Sequence, residues 1–176
     1  MRRLDAPTLV LHAQTFTRVL ASADERTCAA LVMGKASEST LLAAFRTADL
    51  ETMDAWFDVT YRAAVAEASE TGQMVTLSES EIREAFTALG RHLPTAEAAQ
   101  VHALLTVAGT MNDEDICTAG RRLYDGALTL AAPARDHVIR ALLKTPTSRH
   151  DPWTTRIRWH GEPRAELPLT AGGAPG

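Results

Sequence analysis

Apolar residues recur at three- and four-residue spacing from about position 7 to about 144, and this period predicts a succession of helices. The first has Asp5 as N-cap and Pro7 in its first turn, where a missing N–H removes no helical hydrogen bond. It carries Leu9, Val10, Phe16, Val19 and Leu20 on one broad face. A short second helix follows Ser22, turns Cys28, Leu31 and Val32 inward, and ends near Gly34; a third runs from about 39 to 46. The clearest helix spans about 50 to 67 behind Asp49, with Leu50, Met53, Phe57, Tyr61, Ala64 and Val65 as its expected buried stripe and Trp56 widening it. Ser78 and Glu81 form a capping box, in which the hydroxyl accepts from the Glu81 N–H while the carboxylate accepts from the Ser78 N–H. Ile82, Phe86 and Leu89 follow as the inward side of that helix. Thr95 is expected to cap a helix bearing Val101, Leu104 and Leu105. Asn112 caps the next, with Asp113, Glu114 and Asp115 favourably placed in its first turn, Ile116, Ala119 and Leu123 inward, and an end near Gly126. A last helix starts at Pro133 and buries Val138, Ile139, Leu142 and Leu143.

Beyond Thr145 the pattern changes. Pro146, Pro152, Pro163, Pro168 and Pro175 exclude a long helix. From 153 to 159 the chain alternates, with Trp153, Thr155, Ile157 and Trp159 on one side and Thr154, Arg156 and Arg158 on the other, as in a strand. The end, 171–176, reads as a disordered tail. The expected fold is therefore all-α: a compact domain of six to eight helices over 1–145, then a semi-extended, Pro- and Gly-rich arm and tail over 146–176.

Length and composition narrow the classes. With 176 residues, 45% hydrophobic and 23% charged, the chain suits one domain or two small lobes sharing a core. No apolar run approaches the roughly 18 residues that span a bilayer, and the N-terminus lacks the pattern of a secretory signal. A net charge of -4 argues against a general nucleic-acid binder. The two cysteines, Cys28 and Cys117, fall inside separate predicted helices, which suggests free buried thiols in a reducing cytosol and a cytoplasmic protein. Charge is uneven: 51–115 holds twelve acidic residues against three arginines, whereas 121–176 holds nine basic against five acidic. A basic tail docking on the acidic body, or on an acidic partner, is one consequence of that asymmetry.

Two segments share a layout of helix, short irregular stretch and capped helix. The first reads Glu70-Thr71-Gly72-Gln73-Met74-Val75-Thr76-Leu77-Ser78-Glu79-Ser80-Glu81-Ile82 and continues to Gly90, Leu93-Pro94-Thr95 and Glu97. It resembles the second half of an EF-hand loop, its exiting helix and the linker to the next hand in calmodulin-like proteins. The second, Gly109-Thr110-Met111-Asn112-Asp113-Glu114-Asp115-Ile116, resembles another loop ending, and Ala119-Gly120-Arg121-Arg122-Leu123-Tyr124 is similar to the exiting helix of calerythrin-type EF-hand proteins. The likeness to the EF-hand superfamily covers about 50–124. It implies a helix–loop–helix pair with degenerate loops. A calcium loop needs side-chain oxygens at positions 1, 3, 5, usually 9, and a bidentate carboxylate at 12. The first segment offers Glu70, Gly72, Met74, Ser78 and Glu81 there, with Val75 where the turn glycine belongs; the second offers Leu104, Thr106, Ala108, Asn112 and Asp115. A thioether is too soft for calcium and glycine supplies no side chain. Calcium-free loops are expected, and any metal would fall to Glu70, Ser78 and Glu81.

Other chemistry is weakly marked. His12, His92, His102, His137, His150 and His160 show no zinc-ligand spacing, and neither a nucleophile elbow nor a phosphate loop occurs. The helix after Thr95 has no Arg or Lys to read DNA. No cofactor is implied. The leading expectation is a non-enzymatic binding or regulatory protein whose partner is a protein or peptide, possible occupants including its own arm. Its expected groove is lined by Phe57, Tyr61, Phe86, Leu89, Val101 and Leu105, with Trp153, Ile157 and Trp159 of the arm. The alternatives are a small helical enzyme using Asp54, Asp58, Tyr61 or His102 in a pocket between helices, and a weak calcium binder.

Overall fold

The computed structural model describes residues 3–70 and 72–143, and over these the chain is all-helical. Eight α-helices follow in order: α1 (Ala6–Ser22), α2 (Glu25–Val32), α3 (Glu38–Thr47), α4 (Leu50–Ala68), α5 (Glu79–His92), α6 (Thr95–Val107), α7 (Asp113–Thr129) and α8 (Ala134–Leu142). A single turn of 3₁₀ helix, Ala108–Thr110, joins α6 to α7. The arm over 146–176 lies outside the described residues.

Six of these helices begin at a side chain that closes an orphan backbone donor. Asp5 accepts from the Thr8 N–H, Asp24 from Thr27, Ser37 from Thr40, Asp49 from Thr52, Ser78 from Glu81 and Asn112 from Asp115. Both halves of the Ser78–Glu81 box are present. Two sequence expectations are corrected here. Thr95 is the first residue of α6 rather than its cap, because Pro94 occupies the cap position without a side-chain bond. Gly126 does not end α7, which runs on to Thr129. Its place is explained by packing: a Cβ there would lie 2.7 Å from Leu93 Cδ2 and 3.0 Å from Leu89 Cδ1.

Helices α1 and α7 form the centre. The first meets α4, α7, α8 and α3, and the second meets α2, α6, α1 and α8. Leu9, Val19, Leu20, Leu89, Val101, Val138 and Ile139 are fully enclosed between them and their neighbours. The most extensive contact between helices is that of α2 with α7. A Cβ on Gly120 would collide with both methyl groups of Val32, 2.9 Å from Cγ1 and nearer still to Cγ2. Valine is stiff at χ1 and cannot swing aside at little cost. One turn earlier on α7, Cys117 is bonded to Cys28 of α2, with a Cα–Cα separation of 5.3 Å. The expectation of two free thiols is thus overturned. Both cysteines are buried, but on helix faces that meet, a relation that a sequence separation of 89 conceals. Arg121 completes the joint: its Nε and Nη2 donate to the Leu20 carbonyl at 3.0 and 2.6 Å, and Nη2 also to that of Ala23 at 3.1 Å. It thereby satisfies carbonyls at the C-terminal end of α1 that the helix itself leaves open.

On its other side α1 carries α4. His12 is 4% exposed and sits with Phe16 against Trp56 of α4, ring centroids 5.9 Å and 6.2 Å from the indole. Its Nδ1 is buried with no hydrogen-bond partner. Burial pushes the imidazole down to about 4, so it is held neutral.

Two consequences are measurable. Gly120→Ala should destabilise the fold by about 1–3 kcal/mol through overpacking, read as a lower urea midpoint; an unchanged midpoint would place α2 and α7 farther apart than described. His12 gives a pH dependence whose sign follows from its protonation. The unfolded chain takes up the proton near pH 6.5, the folded protein only near 4. Its contribution is therefore complete above 6.5 and drains away as the pH falls to 4, by about 3 kcal/mol in all. Urea unfolding of His12→Leu across this window should lose that part of the slope; an identical slope in both proteins would show that His12 is not the group responsible.

Candidate functional site

Helix α4 carries two apolar stripes, and the structure buries the one the sequence reading did not select. Thr52, Val59 and Ala63 are buried against α1, and Trp56 is half-buried beside them. These positions are spaced four, three and four residues apart, so they share a face. The expected core stripe points the other way. Leu50 is 78% exposed, Phe57 57%, Tyr61 70% and Val65 43%, on one side of the helix. Small and slender side chains at 52, 59 and 63 let α4 approach α1 closely, while a ring at 57 or 61 would hold it off. Arg18 of α1 pairs with Glu51 at 2.7 Å on the exposed rim of this contact.

The exposed stripe continues onto α3. Phe45 packs against Trp56 and Phe57, with centroids 5.6 and 6.0 Å apart, and Leu42, one turn before Phe45, is exposed. Singly exposed apolar residues are ordinary, whereas a contiguous row on one face is not. Its surroundings are acidic: residues 49–70 include Asp49, Glu51, Asp54, Asp58, Glu67 and Glu70 against the single Arg62. Arg62 is engaged with Asp58 one turn back, at 2.9 Å.

The expected groove is therefore divided. Phe86, Leu89 and Val101 are enclosed in the core, and Leu105 is packed against it, half-buried. They cannot line an open surface together with Phe57 and Tyr61, because α4 rests on α1 whereas α5 and α6 pack on α8 and α7. Trp153, Ile157 and Trp159 lie outside the described residues. The polar groups considered for an enzyme are not gathered either. Asp54, Asp58 and Tyr61 lie on the exposed side of α4, and His102 is half-buried on α6.

The residues proposed for a metal serve the backbone. Ser78 Oγ and its backbone N–H both donate to Glu81 Oε2, at 2.6 and 2.7 Å. The hydroxyl, then the amide, hold the Glu81 carboxyl below its ordinary range. Glu70 adopts a left-handed conformation (φ 51°), and Arg3 Nη1 donates to the carbonyls of Glu70 and Gly72, each at 3.1 Å. Gly72 has φ 85°, and a Cβ there would meet the Arg3 carbonyl oxygen at 2.8 Å. Among the described residues no group of three or more His, Cys, Asp or Glu is placed to hold a metal ion, and no helix is long and apolar enough to cross a membrane.

No family model, no curated protein and no solved structure matches this chain.

The two stripes of α4 separate by mutation. Leu50→Ser and Tyr61→Ser should each leave stability within about 0.5 kcal/mol, whereas Phe86→Ala should cost about 3–5 kcal/mol. Chemical unfolding of the three variants checks this, and a loss of core size at Tyr61 would reverse the assignment of faces.

Proposed function

We propose that this protein is a binding module whose working surface is the exposed side of α4, extended by Leu42 and Phe45 of α3. The observation that carries the reading is the row Leu50, Phe57, Tyr61 and Val65, apolar yet turned to solvent. Its acidic border selects the occupant: a peptide segment of a protein partner that combines apolar side chains with arginine or lysine. The apolar residues supply affinity, and the opposite charges favour encounter and register. Descent from an EF-hand protein belongs to the same proposal as an expectation of the sequence alone; the use of Ser78 and Glu81 as a helix cap accords only with their not serving as calcium ligands. A regulatory role without chemistry of its own belongs to the same proposal; of the polar groups considered for an enzyme, Asp54, Asp58 and Tyr61 stand on the exposed side of α4, and His102 stands on α6, which packs on α7 instead. The cytoplasmic location expected from composition is held with one condition: in a reducing cytosol Cys28 and Cys117 would rely on their burial to remain bonded, whereas an oxidising compartment keeps such a bridge directly.

Calorimetric titration with short peptides alternating tryptophan or leucine with arginine tests the reading. A dissociation constant of about 1–100 μM is expected, weakened at least about tenfold when Phe57 and Tyr61 are both changed to Glu. Binding that survives this double change would remove α4 from the account.

A further inference from the structure

We propose that the α4 face is covered in cis by this chain's own C-terminal arm, with Trp153 laid against Val65, Thr155 against Tyr61, Ile157 against Phe57 and Trp159 towards Leu50. The proposal rests on the reading of α4 as a docking surface and adds its occupant.

The described chain ends near α4. Arg140, on the last turn of α8, donates from Nη2 to the Leu4 carbonyl at 2.6 Å. The neighbouring Arg3 bonds the Glu70 and Gly72 carbonyls, and its backbone N–H donates to Glu67 Oε1 at 3.4 Å. Residues 3 and 4 therefore bridge the end of α8 to the C-terminal end of α4. The arm departs beside the helix it is proposed to cover.

The arm is also long enough. Residues 144–152 precede Trp153 and reach at most roughly 30 Å when extended, ample to bring Trp153 to Val65. An extended segment from Trp153 to Trp159 spans about 20 Å, and α4 from Val65 to Leu50 spans about 22 Å. The repeats agree as well. Alternate residues of an extended chain are about 6.6 Å apart, and Phe57, Tyr61 and Val65, four residues apart on a helix, are separated by about 6 Å. The arm would run antiparallel to α4.

Charge decides among occupants. Segment 49–70 has six acidic residues and one arginine, whereas residues 149–160 of the arm include Arg149, Arg156 and Arg158 with Asp151 alone opposing them. A second copy of α4 on the same face would set like charges against each other. The arm brings the complementary sign.

The test uses the full chain with Ala64→Cys, an exposed position on the apolar side of α4 that leaves Phe57, Tyr61 and Val65 intact. Cys28 and Cys117 are bonded and buried, so the new thiol reports alone. Alkylation by iodoacetamide should quicken about tenfold when Trp153, Ile157 and Trp159 are all changed to Ser, as expected for a tethered segment at millimolar effective concentration binding with a constant near 0.1 mM. The protection in the parent should be independent of protein concentration and shrink in high salt. Protection lost on dilution would assign the arm to a second copy and overturn docking in cis. Equal alkylation rates with and without the three side chains would overturn it too. In that event a synthetic peptide of residues 150–162 added to the arm variant separates the two levels. Binding abolished by Phe57→Glu with Tyr61→Glu would preserve the docking surface and reject only its cis occupant; no binding would reject both.

Discussion

The approach of α7 to α2 and to the end of α1 is the constraint on which the rest of the molecule depends. Gly120 is the only residue type that lets Val32 lie against the α7 backbone without a clash. Cys117, one turn away, closes the same contact covalently to Cys28, and Arg121 reaches across to the carbonyls of Leu20 and Ala23. Three interactions within little more than one turn of α7 thus join α2 and the end of α1 to it. The net worth of one such charge-assisted hydrogen bond is modest, about 1.5–3 kcal/mol, but its geometric effect is large because α1 is the platform for α4 and α8.

Orientation of α1 determines what α4 shows to solvent. His12 and Phe16 present an aromatic surface that accepts Trp56, and this places Val59 and Ala63 inward. Every ring then left on the far side is exposed. Burying a side chain of the size of Leu or Phe is worth about 1.5–3 kcal/mol, so the row at 50, 57, 61 and 65 represents stabilisation that the fold leaves unused. A surface of that kind is available to a ligand at no cost in unfolding the core.

How far the structure could be read from the chain depends on whether the deciding physics is local. Caps are local: Asp5, Asp49, Ser78 with Glu81, and Asn112 act where their sequence positions indicated, because a short side chain reaching a backbone N–H three residues on needs nothing from the rest of the fold. The inward sides of α1, α5 and α8 followed from periodicity because each has one dominant apolar stripe. Helix α4 has two, and hydrophobicity alone favours the larger residues at 50, 57, 61 and 65. What selects the other is the narrow fit against α1, a property of two helices together. The Cys28–Cys117 bond is equally non-local. Gly126 misled for the opposite reason: a glycine near a helix end suggests a stop, yet here it makes room for Leu89 and Leu93. The grouping of Phe57 and Tyr61 with Phe86, Leu89 and Val101 required α4 and α5 to face one another, and α4 instead belongs to α1.

The orientation of α4 is the central claim, and side-chain NMR of the full chain measures it most directly. The account predicts nuclear Overhauser contacts from the Trp56 indole to the rings of His12 and Phe16, whose centroids lie 5.9 and 6.2 Å away. It predicts no contact from Tyr61 to Leu9, Phe16 or Val19 of α1. Strong contacts from Tyr61 and Val65 to those core residues, with the Trp56 indole open to solvent, would contradict it and return the apolar stripe of α4 to the interior.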